Sequence, residues 1–124
     1  MITKAAITAL NELLQLPATG NEQDWEVELA DKNRIAGFVN VAHTANLSAA
    51  ERFALVALIL CSYEEFLWDD FDNGNVLWKT IAEVLNQHKG AYDERLNYWA
   101  VWNAKERADW FALTPLVRKY LKQG

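Results

Sequence analysis

The chain has a single cysteine, Cys61, among its 124 residues, so no disulfide can form within it. Cys61 closes an apolar run, where a thiol reads as a small buried hydrophobe, and a reducing cytoplasm fits. The apolar run at 53–61 is nine residues long, well short of the roughly 20 that a membrane-spanning helix needs. Bases are also scarce. Twelve Lys and Arg face 17 Asp and Glu, a net charge of -5, which argues against general nucleic-acid binding because that needs clustered cations to displace counterions. The opening MITKAAITALNELLQL is amphipathic, with Asn11 and Glu12 inside it, and lacks the unbroken apolar core of a secretory signal. With no internal repeat, low-complexity tract or long linker, residues 1–124 read as a single helical domain.

What is present is organised around the stretch at about 48–68. Its nine consecutive apolar residues cover every side of a helix, so the helix must be enclosed by others. Ser48 followed by Glu51 is a capping box that marks its start. Leu47 before the cap and Arg52 after it make only part of a hydrophobic staple, because Arg52 offers no more than its stem. The expected fold class is all-α: a bundle of six or seven helices around this buried central one.

Before it, residues 2–16 form an amphipathic stripe through Ile2, Ala6, Leu10, Leu13 and Leu14 that Pro17 should stop. PATGN at 17–21 reads as a loop. Residues 24–30 alternate as a strand would, but no second strand is available to pair with them, and a short helix is expected instead. Ile35, Phe38, Val39 and Ala42 mark a helix at about 34–44. After the centre, residues 72–74 read as a turn, followed by a helix to about residue 87 that ends at Lys89 and Gly90. An aromatic-rich helix is expected at 91–103, and a last one opens with Thr114 as N-cap and Pro115 as first helical residue.

Charge is divided unevenly along the chain. Residues 1–74 hold 12 acids and 4 bases, a net of -8, and residues 75–124 hold 5 acids and 8 bases, a net of +3. A negative surface speeds encounter with a basic partner. Its densest part is Glu64, Glu65, Asp69, Asp70 and Asp72, at the end of the central helix where the helix dipole opposes acids. These five residues are the candidate partner-binding patch, for a basic protein.

Other chemistry finds less support. With Gly74 as the sixth residue of a calcium loop, Phe71 falls on position 3 and Thr80 on position 12, where an oxygen ligand and a bidentate Glu are required. Glu65 and Asp69 could face Asp93 and Glu94 across a magnesium ion, yet Leu96 and Asn97 stand where the next acid should be. His43 and His88 have no ligand-spaced neighbours, and Ser62 has no paired base. No catalytic residue, metal-ligand set or cofactor is assigned. Among Tyr98, Trp99, Trp102, Trp110 and Phe111 there are more rings than one helix face buries easily, so one or two are expected to be exposed.

The succession DWEVELADKNRI, LSAAERFALVALILCSYEEF, LNYWAVWNAKE and TPLVRKYL, over residues 24–121, resembles small bacterial proteins of the orphan-helical and toxin-immunity type. The resemblance implies a cytoplasmic, all-helical protein that binds and blocks a toxin domain, commonly a basic nuclease, through an acidic surface. A metal-dependent all-α nucleotide pyrophosphohydrolase and a helical adaptor are the alternatives.

Overall fold

A computed structural model describes residues 1–123, without the side chains of residues 71–75. The fold is all-α, with seven α-helices and one 3-10 turn among the described residues. They run α1 (Lys4–Leu13), α2 (Trp25–Glu28), α3 (Ile35–Thr44), α4 (Ala49–Asp69), α5 (Phe71–Gln87), α6 (Asp93–Ala100), the 3-10 turn (Arg107–Asp109) and α7 (Thr114–Gln123).

α4 is the post. Its residues 53–63 are all buried, and α1, α2, α3 and α5 pack around it, while α6 pairs with α7. The capping box is complete: Ser48 Oγ accepts from the Glu51 N–H at 3.1 Å, and the Ser48 N–H donates to Glu51 at 2.7 Å. Arg52 replaces the missing half of the staple with a hydrogen bond, donating from Nη1 to the Leu47 carbonyl at 2.7 Å. In the centre, Ser62 Oγ donates to the Leu58 carbonyl and accepts from the Asp31 N–H, so this buried hydroxyl is satisfied and ties the α2–α3 connection to the core.

Three helix ends differ from the expectation. α1 stops at Leu13, four residues before Pro17, and Leu13 is half exposed. The Leu16 N–H bonds the Asn11 carbonyl and the Gln15 N–H the Glu12 carbonyl, a Schellman closure with Gln15 at φ 51 in the position glycine favours. Arg34 Nη2 takes the freed Leu14 carbonyl at 2.6 Å. Next, there is no turn at 72–74. Asp70 alone leaves helical geometry (φ -148, ψ 74), and α5 begins at the following residue. Last, the aromatic helix spans Asp93–Ala100, not 91–103. Gly90 at φ 91 delays its start, and Val101, in left-handed geometry at φ 43, ends it.

Val101 is a β-branched residue in a region that costs an L-residue roughly 1–2 kcal/mol. It is held there by Arg118, whose Nε donates to the Ala100 carbonyl and Nη2 to the carbonyls of Val101 and Ala104, all within 3.1 Å. A cation is thus placed on the negative end of α6, where its charge is most favourable. Replacing Val101 with glycine removes the strain at some cost in unfolded-state entropy. Val101→Gly should therefore leave stability unchanged or raise it by up to about 1 kcal/mol in a denaturant titration. A loss above that size would show that the valine side chain contributes more packing than its backbone costs.

Candidate functional site

The described candidate acids differ in what they do. Glu64 faces inward across the fold: its Oε2 accepts from the Ala112 N–H at 3.0 Å and its Oε1 from the Leu113 N–H at 2.8 Å. Those N–H groups lie just before α7, so a carboxylate from the C-terminal part of α4 caps a helix start 48 residues away. Thr114, expected to do this, is the first helical residue. Its hydroxyl donates to the Trp99 carbonyl and accepts from the Phe111 N–H. Glu65 and Asp69 are exposed, and Asp69 pairs with Lys32. Asp70 is half-buried at the joint between α4 and α5, and the Asp72 side chain lies outside those described.

The expected quarrel between these acids and the helix dipole is corrected by the same joint. α5 starts directly after Asp70, so Asp69 and Asp70 stand at its positive N-terminal end and Asp72 falls in its first turn. The corner serves two helix ends of opposite sign, and its acids need no partner to offset a destabilised end.

What the sequence reading passed over is Trp68. It is 73 % exposed, yet its indole N–H donates to Glu64 Oε2 at 2.7 Å, which fixes a large apolar ring at the surface. Glu64 and Trp68 are one helical turn apart on α4, a spacing visible in the sequence. Beside the ring runs a cleft of about 400 Å³ lined by Leu67, Phe111, Ala112, Pro115, Arg107 and Trp110. Glu65 and Asp69 are its exposed neighbours along α4, and Arg107 brings one cation to the cleft itself.

Of the five aromatic residues singled out downstream, Tyr98 and Trp102 are exposed, Trp110 and Phe111 half-buried, and Trp99 buried. The magnesium constellation is not assembled. Asp69 pairs with Lys32 and Glu94 lies 4.0 Å from the Met1 amine, while Asp93 lines a different cleft with Lys89 and Tyr120. Among the described residues no three His, Cys, Asp or Glu side chains are placed to hold a metal ion. His43 instead meets Gln87 Nε2 at 2.6 Å from its Nδ1. No helix among them is long and apolar enough to cross a membrane.

No family model, curated protein or solved structure matches this chain.

A second cavity, of about 240 Å³, lies where α2, α4 and α6 meet, lined by Asp24, Glu26, Val27, Cys61, Arg95, Tyr98 and Trp99. Arg95 and Glu26 pair loosely across it at 3.9 Å, and Arg95 Nε and Trp99 Nε1 are buried without an acceptor among the described residues. Burial pushes the Cys61 thiol up to about 12 from 9.0, and the Tyr63 phenol up to about 12 from 10.0. A raised folded-state value means that stability is fully present below the unfolded value and lost as pH climbs toward the folded one. Stability against denaturant should accordingly hold below pH 9 with respect to these groups and fall between pH 9.0 and about 12, with the onset set by Cys61. A Cys61→Ala variant that falls off no later would remove the thiol from this account.

Glu64 gives a sharper test. Glu64→Ala strips acceptors from two backbone N–H groups and the Trp68 indole, and should cost about 1–3 kcal/mol by chemical denaturation. An unchanged midpoint would return Glu64 to the surface.

Proposed function

We propose that this protein is a binding inhibitor of the toxin-immunity type, acting in the cytoplasm, which captures a basic protein domain on the face centred on Trp68. The observation that carries this reading is a tryptophan 73 % exposed and pinned by a hydrogen bond, with carboxylates beside it. A large ring held in place before contact loses little rotamer freedom on binding, and tryptophan is among the side chains that most often dominate an interface. The cleft beside it offers apolar depth from Leu67, Phe111 and Pro115. Glu65 and Asp69 form the charged rim, within the chain half that carries -8, and rim charges act mainly on encounter rate. Lys32 leaves Asp69 half exposed, so this carboxylate stays open to a second cation.

Rim and anchor separate experimentally. With the basic product of the adjacent reading frame as partner, Trp68→Ala should raise the dissociation rate and weaken binding by about 2 kcal/mol or more. Glu65→Gln with Asp69→Asn should slow association and flatten its salt dependence while leaving dissociation nearly unchanged. Stopped-flow mixing at two ionic strengths reads both. Full affinity in Trp68→Ala, or no complex with that product at all, would overturn the proposal.

A further inference from the structure

The C-terminal part of the chain builds a surface of the opposite character. Arg107, Trp110, Pro115, Arg118, Lys119, Lys122 and Gln123 line an open cleft of about 430 Å³. Its cations lie against two rings, Trp110 in the lining and Trp102 outside it: Arg107 lies 5.5 Å from the Trp110 ring, Arg118 4.2 Å from Trp110 and 5.3 Å from Trp102, and Lys122 5.9 Å from Trp102. Four positive side chains therefore converge in a protein whose net charge is -5. None of them forms an ion pair among the described residues, although Glu106 and Asp109 are close to Arg107 in sequence. Like charges gathered without counter-charge repel one another, and an anion that enters relieves that cost.

Arg118 makes the cleft more than a cluster of surface cations. Three backbone carbonyls hold its Nε and Nη2, and two indole rings flank its guanidinium, while Nη1 has no protein acceptor among the described residues. It is a pre-oriented donor, with the exposed side chains of Lys119, Lys122 and Arg107 around it. A fixed guanidinium beside flexible ammonium groups suits tetrahedral oxyanions that carry several acceptor oxygens. The volume is that of a small-ligand cleft. Long polyanions are disfavoured, since the chain half at -8 would repel their flanking phosphates.

We propose that this cleft binds the phosphate groups of a small polyphosphate-bearing ligand. This cleft adjoins the one beside Trp68 and shares Arg107, Trp110 and Pro115 with it, but Arg118, Lys119 and Lys122 line this one alone, and the proposal goes beyond the inhibitor reading.

The test titrates the whole protein with sodium pyrophosphate at constant ionic strength, following tryptophan fluorescence and melting temperature, with sulfate as the control. A saturable fluorescence change and a rise in melting temperature are expected for pyrophosphate, both far smaller for sulfate, because a ligand of the native state stabilises it by mass action. The exposed pair Lys119→Ala and Lys122→Ala should weaken the response by about tenfold or more, as should Arg107→Ala, with the fold intact by circular dichroism. Arg118 stays unaltered because it holds α6. A parallel ATP titration locates the source: equal affinity assigns recognition to phosphates alone, and tighter binding adds the nucleoside. An equal response to sulfate would reduce the effect to screening and overturn the proposal. So would silence at millimolar pyrophosphate, undiminished binding in the Lys119/Lys122 variant, or binding of a single-stranded oligonucleotide without a pyrophosphate response.

Discussion

A helix that is apolar on every side leaves the chain little choice. Residues 53–63 of α4 have no face to offer water, so the remaining helices are arranged to supply walls. α1, α2, α3 and α5 do this directly, each setting an apolar stripe against the post. The amphipathic helices are defined by what they cover, and polar chemistry is displaced to the ends of α4 and to the C-terminal segment.

The C-terminal pair is joined differently. α6 and α7 contribute Leu96, Trp99, Ala100 and Val117 to the same core, with Leu113 just before α7, but their position relative to the post is keyed by polar ties. Glu64 reaches from α4 to the start of α7, Thr114 binds the Trp99 carbonyl, and Arg118 closes the end of α6. Each tie satisfies backbone groups at a helix terminus, where unpaired N–H and C=O groups are unavoidable and hydrogen bonds to charged side chains are strongest. The two proposed surfaces both border this region. Trp68 is fixed by the carboxylate that caps α7, and the cationic cleft is shaped by the arginine that caps α6.

Legibility followed sequence distance. The central helix could be read from nine apolar residues and Ser48–Glu51, because both signals are local, and α2 followed from the lack of a strand to pair with. The α4–α5 joint was misread because Asp72, Asn73 and Gly74 have turn chemistry, yet the chain reverses at Asp70 alone. The end of α6 had no local marker: a valine adopts left-handed geometry because an arginine 17 residues later holds its carbonyl. Of the candidate site, Glu65 and Asp69 emerged exposed as read. Glu64 was assigned to the surface because nothing near it in sequence announces an acceptor duty 49 residues away. Trp68, one turn from Glu64, was legible in principle and was hidden by the acids around it.

The Glu64 carboxylate is shared, and sharing has a mechanical meaning. Its Oε2 accepts from both the Trp68 indole and the Ala112 N–H. Any force that turns the Trp68 ring draws on the same oxygen that steadies the first turn of α7, the helix that carries Arg118 to the carbonyls of α6. The exposed ring is thus a lever whose fulcrum lies inside the fold, and its load is the alignment of the last two helices.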